Sequence, residues 1–82
     1  MMNFDNLREK INTKLKELDI FVDNIEYVKK GKYNFLNITL DKVGGIDLDG
    51  IVEATHIVNP IVDAEKITDD SYILDISSKE RG

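Results

Sequence analysis

Near the start of the chain, apolar side chains recur every three or four residues. They are Phe4, Leu7, Ile11, Leu15 and Leu18. This spacing predicts one apolar stripe of an amphipathic helix. Asn3 or Asp5 can cap the helix by accepting a free backbone N–H group. We expect the helix to end near Asp19, because the β-prone segment Ile20-Phe21-Val22 follows.

Three later segments alternate between apolar and polar residues, which is the pattern of a β-strand. They span 23–29, 33–40 and 72–77. A turn centred on Gly31 joins the first two, since glycine accepts positive φ without steric cost. In the second segment Leu36, Ile38 and Leu40 are predicted to face the helices. Tyr33 and Phe35 lie on the other face. They either pack across the hairpin, against Val28 or Val22, or mark a surface for a partner.

The stretch from Leu40 to Asp49 is predicted to turn the chain on Gly44 and Gly45 and then to open a second helix. Asp47 is a good N-cap for this helix, and Asp49 adds negative charge to its first turn. Pro60 should kink or end the helix between His56 and Asn59, because proline lacks the helical N–H group.

The second helix carries two apolar stripes on the helical wheel. The predicted core-facing stripe is Leu48, Ile51, Val52, Thr55, Val58 and Val62. The other consists of Ala54, Ile57 and Ile61. A helix in a two-layer fold needs only one apolar face. The second stripe therefore indicates contact with a neighbouring domain or protein, unless Ile57 and Ile61 lie beneath the following loop.

The predicted order is helix, strand, strand, helix, strand. Both helices on one face of a small sheet form an α+β two-layer sandwich. The length of 82 residues allows one domain, spanning residues 1–82. A polar exit, Ser77-Ser78-Lys79-Glu80-Arg81-Gly82, follows the last strand. The order of the strands in the sheet does not follow from the pattern.

Composition and charge restrict the kinds of partner that this chain can bind. No apolar run approaches the roughly 18–20 residues of a membrane span, so no membrane partner is expected and the cytoplasm is the default location. Residues 43–82 carry nine Asp or Glu against three Lys or Arg. An acidic half suits a basic protein partner better than nucleic acid, although it also serves solubility. Lys29, Lys30 and Lys32 at the hairpin turn are the candidate RNA contacts; the alternative is a solvated tip.

Motifs that carry chemistry are weak in this chain. A calcium loop placed on residues 45–56 has Gly45 and His56 where carboxylates are required. His56 is the sole histidine, and there is no cysteine, so a zinc site has too few ligands. Ser77 and Ser78 lack the glycine-flanked elbow of a hydrolase. We therefore expect neither a cofactor nor an enzyme.

Five short blocks follow one another along the chain. They are Ile25-Glu26-Tyr27-Val28-Lys29, Leu40-Asp41-Lys42, Gly44-Gly45-Ile46-Asp47-Leu48-Asp49, Val62-Asp63 and Tyr72-Ile73-Leu74-Asp75-Ile76-Ser77-Ser78. This ordered set resembles the N-terminal domain of the RimP family of bacterial ribosome maturation factors. After Ser78 this family usually continues Pro-Gly-Leu-Asp-Arg-Pro-Leu, whereas residues 79–82 here read Lys-Glu-Arg-Gly. The chain is thus either an excised domain or a divergent short member.

The resemblance implies a KH-like domain, normally followed by a C-terminal SH3-like barrel that is absent from this sequence. It also implies a non-enzymatic cytoplasmic factor that assists assembly of the small (30S) ribosomal subunit. Its partners would be a basic ribosomal protein near the decoding region, ribosomal RNA, or both. The alternative is a KH-like module that acts directly on RNA. The matched residues taken as partner-binding are Asp41, Lys42, Gly44, Gly45, Asp47, Asp49, Ser77 and Ser78.

Overall fold

The predicted elements form in the predicted order in the computed structural model, which describes residues 3–79. They are α1 (Asp5–Leu15), a 3-10 helical turn (Lys16–Leu18), β1 (Ile20–Lys30), β2 (Tyr33–Lys42), α2 (Leu48–Glu65) and β3 (Ile73–Ser78). The architecture is the expected α+β fold. The predicted polar exit lies outside the described residues from Glu80 onward.

Helix α1 and the 3-10 turn that follows it end at Leu18, next to the predicted end at Asp19, and Phe4 is the N-cap residue. The Oδ1 atom of Asn3 accepts a hydrogen bond from the backbone N–H of Asp5 at 2.8 Å. Leu7, Ile11 and Leu15 are buried on one stripe. Asp19 then adopts a left-handed conformation with φ of 58°, which Asp tolerates better than most residues. The chain thereby leaves the helical turn and enters β1.

Strands β1 and β2 form an antiparallel hairpin around Gly31, whose φ is 62°. Phe35 pairs with Val28, so the predicted packing across the hairpin is confirmed for this residue. The alternative partner, Val22, lies instead in the core opposite Leu40. The register shifts between Val22 and Asn24, which marks a bulge in β1.

Strand β3 lies parallel to β2, and the sheet order is β1-β2-β3. Helix α2 makes the crossover that a parallel pair requires. Leu36, Ile38 and Leu40 on the central strand are fully buried, as predicted. Ile67, in the connection before β3, packs against the core. Both helices therefore cover one face of the sheet, and the other face is left open.

Helix α2 buries Val58 and Val62 of the predicted core-facing stripe, together with Ala54 from the other stripe. Ala54, Val58 and Val62 are at most 1% exposed, whereas Leu48 is 78% and Val52 is 48% exposed. The assignment of Ala54 to a partner contact is therefore wrong, because its side chain lies in the core. Both stripes of the wheel were apolar, and the sheet and α1 select the face between them.

The helix also runs through Pro60 to Glu65. Of the two predicted effects of Pro60, a kink or an end of the helix, the end is therefore wrong. Pro60 is exposed, while Val58 and Val62 on either side are buried. Packing of these two valines holds the segment in place despite the missing N–H group. Lys66 follows as the C-cap residue, with φ of 47°.

Candidate partner-binding surfaces

The corner between β2 and α2 is built by two glycines and an acidic cap. Gly44 and Gly45 have φ values of 87° and 93°, a region that side-chain-bearing residues rarely adopt. The N–H of Gly45 donates to the carbonyl of Lys42 at 2.8 Å. Asp47 Oδ1 accepts from the N–H of Gly50 at 2.7 Å, so the predicted N-cap is confirmed. The first structural role of this motif is to start α2.

The corner forms one wall of a cleft of about 750 Å³, which we call the acidic cleft. Five exposed carboxylates line it. They are Glu17, Asp19, Asp47, Asp49 and Glu53. Lys42 is the one basic residue among the described residues that line it, together with Gly44 and Gly45. The carboxylates repel one another, so a cationic group placed in the cleft relieves that repulsion.

Glu17, Asp19 and Glu53 were not identified as site residues from the sequence. Glu17 and Asp19 lie far from Asp47 along the chain, and the hairpin brings them together because Ile20 pairs with Lys42. Their proximity could have been predicted approximately from the sequence, by pairing the residues of the two strands outward from the turn at Gly31. Glu53 is one helical turn beyond Asp49 on the same side of α2.

Other members of the predicted partner-binding set lie elsewhere. Asp41 is buried, at 9% exposure, and its Oδ1 accepts from the backbone N–H of Lys42 at 2.8 Å. Asp41 does not line the acidic cleft, and its predicted role in partner binding stays a prediction. Ser77 and Ser78 pair with Thr39 and Leu40 at the same end of the sheet as the corner. They do not line the acidic cleft.

The lysine tip, Lys29, Lys30 and Lys32, lies at the opposite end of the hairpin, and all three residues are exposed. Strand β2 has 10 residues, and a rise of about 3.3 Å per residue separates the tip from the corner by about 30 Å. Tyr33, beside the tip, is 62% exposed. The basic and acidic candidates therefore form two separate surfaces.

An apolar groove of about 810 Å³ separates the outer sides of α1 and α2. Ile57, Pro60, Ile61 and Ala64 line it from α2. Lys10 Nζ and Glu65 Oε1, 2.6 Å apart, form an ion pair across it. The half-buried Ile57 and Ile61 are thus accessible from this groove, and their contact with another domain or protein stays a prediction.

Among residues 3–79, no group of three or more His, Cys, Asp or Glu side chains is arranged to hold a metal ion. Tyr27 and Tyr72 make an edge-to-face contact with ring centroids 6.4 Å apart. Burial raises the pKa of the Tyr72 hydroxyl above its usual value, and the nearby charges of Asp63 and Tyr27 add to this shift. The pair packs between β1 and the start of β3.

The fold and these surfaces together define a class: a small α-β-β-α-β domain whose charged features lie at opposite ends of one hairpin. Within the described part of the chain, no helix has the length and apolarity to span a bilayer. The family model of the RimP N-terminal domain matches residues 10–79. The chain therefore belongs to the RimP N-terminal domain family, and this family consists of ribosome maturation factors with a role in 30S assembly.

Proposed function

We propose that this chain is the docking domain of a cytoplasmic ribosome maturation factor. It assists assembly of the small ribosomal subunit by binding a basic ribosomal protein near the decoding region, and it catalyses no reaction. Family membership supports the ribosomal role. The single structural observation that supports protein docking is the acidic cleft, with five exposed carboxylates and one lysine in its described lining.

Ribosomal proteins that bind RNA are rich in Lys and Arg, and such side chains pair with carboxylates through charge-assisted hydrogen bonds. Each exposed ion pair contributes only about 0.2–1 kcal/mol. The five carboxylates together therefore contribute a few kcal/mol at most, and their larger effects are on association rate and partner choice. Asp49 and Glu53 are the residues to test, because neither side chain forms the N-cap that Asp47 supplies.

The test is sedimentation of the protein with immature small subunits. We expect the double variant Asp49→Lys/Glu53→Lys to lose most of its cosedimentation, most clearly at low salt, where charges are least screened. The matched control is Glu26→Lys/Asp69→Lys, which changes net charge equally at exposed positions outside both the acidic cleft and the apolar groove. Equal losses for both variants, or no loss for either, would contradict docking through the acidic cleft.

Direct RNA contact is a second candidate function, favoured by the exposed lysine tip beside the exposed ring of Tyr33. Lysines that neutralise phosphates release counterions, and each contributes about −0.7 to −0.9 to the slope of log affinity against log salt. Replacing Lys29, Lys30 and Lys32 by Gln should therefore reduce the slope for a small-subunit ribosomal RNA fragment by about two to three units. An unchanged slope would remove this candidate.

A further inference from the structure

The outer edge of β3 carries backbone hydrogen-bonding groups that no strand of residues 3–79 pairs with. The N–H of Lys79 donates to the carbonyl of Leu40 on β2 at 2.7 Å. Successive residues of a strand direct these groups to opposite sides. The N–H and C=O groups of Leu74 and Ile76 therefore point away from β2, towards the open edge.

The two edges of this sheet differ in how they resist added strands. β1 has a bulge between Val22 and Asn24 and ends in Lys29 and Lys30. Bulges and edge lysines are devices that discourage pairing with another chain. β3 has the sequence Ile-Leu-Asp-Ile-Ser-Ser and is regularly paired throughout. It contains neither lysine nor proline, so it is the receptive edge.

A groove of about 350 Å³ lies between α2 and the start of β3. Asn59 and Asp63 of α2 line one side, and Asp70, Tyr72 and Leu74 lie towards the strand. No Lys or Arg is present among its described lining residues. The groove is therefore acidic at the end of the sheet where β3 begins.

Towards the end of β3 the same flank of α2 becomes apolar. Val52 precedes Asn59 by seven residues, which is two helical turns, and Leu48 is one further turn back. Leu48 and Val52 are the large apolar side chains of α2 that are exposed. Ile73, on the other face of β3, is 46% exposed. Apolar surface therefore flanks the open edge on both faces of the sheet.

We propose that the β3 edge binds an extended segment of a partner protein as a fourth strand, with alternating apolar and basic side chains. Its apolar side chains face α2 and cover Leu48 and Val52, and its Lys or Arg side chains lie on the opposite face of the sheet, beside Asp75. Charge selects this occupant over a second copy. Each copy carries a net charge of −5, and Asp75 lies near the middle of the strand. The site goes beyond the proposed function, because it is separate from the acidic cleft.

The probe is an acetylated and amidated peptide of about ten residues, the length of a long strand, in which Lys and Val alternate. It is titrated into the ¹⁵N-labelled protein. We expect the largest amide shifts at Leu74, Ile76, Leu48 and Val52, and slower hydrogen exchange at Leu74 and Ile76. The same peptide with alternate amides N-methylated loses its donors along one edge. It should bind at least about tenfold more weakly.

Two protein variants complete the test. Val52→Lys should weaken binding about tenfold, since it replaces apolar contact with a like charge. The matched control Val43→Lys changes a side chain that is 90% exposed and lies away from β3. It should stay within about twofold. Asp49→Lys/Glu53→Lys tests the proposed function separately, and the β3 shifts should persist in that variant. Equal binding by the N-methylated peptide, shifts confined to the acidic cleft, or a dimer of this chain in place of the complex would overturn the proposal.

Discussion

Asp47 has two separable roles, as the N-cap of α2 and as one charge of the acidic cleft, and substitution distinguishes them. In Asp47→Ala the N–H of Gly50 loses its 2.7 Å partner. Loss of an N-cap costs about 0.5–2 kcal/mol, typically about 1. In Asp47→Asn the side-chain oxygen is kept. Since Asn and Asp rank equally as N-caps, the expected cost is below about 0.5 kcal/mol.

The expected loss of stability in Asp47→Ala is large for a domain of this size. At about 0.05–0.15 kcal/mol per residue, the whole chain has a free energy of unfolding of about 4–12 kcal/mol. A loss of about 1 kcal/mol should lower Tm by about 4–8 °C. It should also lower the urea midpoint by about 1 M for a slope near 1 kcal/mol per M.

The assay is urea unfolding of both variants, followed by circular dichroism, with the slope checked for constancy. Binding of immature small subunits is then measured at a temperature where both variants are folded. We expect Asp47→Asn to keep stability and to weaken binding. If Asp47→Ala is as stable as the parent protein, or if Asp47→Asn is destabilised as much as Asp47→Ala, the capping argument is refuted.

Two further predictions concern the core and the tyrosine pair. Leu36→Ala should lower the free energy of unfolding by about 2–5 kcal/mol, because Leu36 is fully buried. The same substitution at Leu48, which is 78% exposed, should change it by no more than about 0.5 kcal/mol. Thermal unfolding compares the two variants, and similar losses of stability would contradict the observed exposed face of α2. The raised pKa of Tyr72 means that the folded state holds the phenolic proton more tightly. Its stabilisation is complete below the unfolded pKa of about 10 and declines as pH rises through the folded value. Tyr72→Phe should lose this alkaline decline in urea midpoint, and an unchanged decline would assign it to other groups.

The open edge of β3 and the acidic cleft lie on different sides of α2. Gly50 and Glu53 face the cleft, whereas Asn59 and Asp63 face β3. A partner that used both would have to pass around the start of α2, where Leu48 is exposed. This geometry allows the two proposals to be tested independently, since a charge reversal in the cleft leaves the β3 edge unaltered.

Local sequence was sufficient for the elements that depend on neighbouring residues alone. Alternation placed Leu36, Ile38 and Leu40 in the core, because the period of a strand is two and one face must be buried. Gly31 predicted the position of the hairpin turn, and Asp47 predicted the start of α2, because positive φ and N-capping are properties of single residues.

Tertiary structure decided what depends on residues that are distant in sequence. Ala54 is buried and Val52 exposed because α1 and the sheet select one face of a helix that is apolar on both. Pro60 remains within α2 because the packing of Val58 and Val62 outweighs its local preference. Glu17 and Asp19 reach the corner of Asp47 only through the register of β1 and β2, and β3 is an edge only because it adds beside β2. Each of these features depends on pairing or packing between segments that are distant in sequence. The free energy of the whole fold determines such contacts, and the local sequence pattern does not encode them.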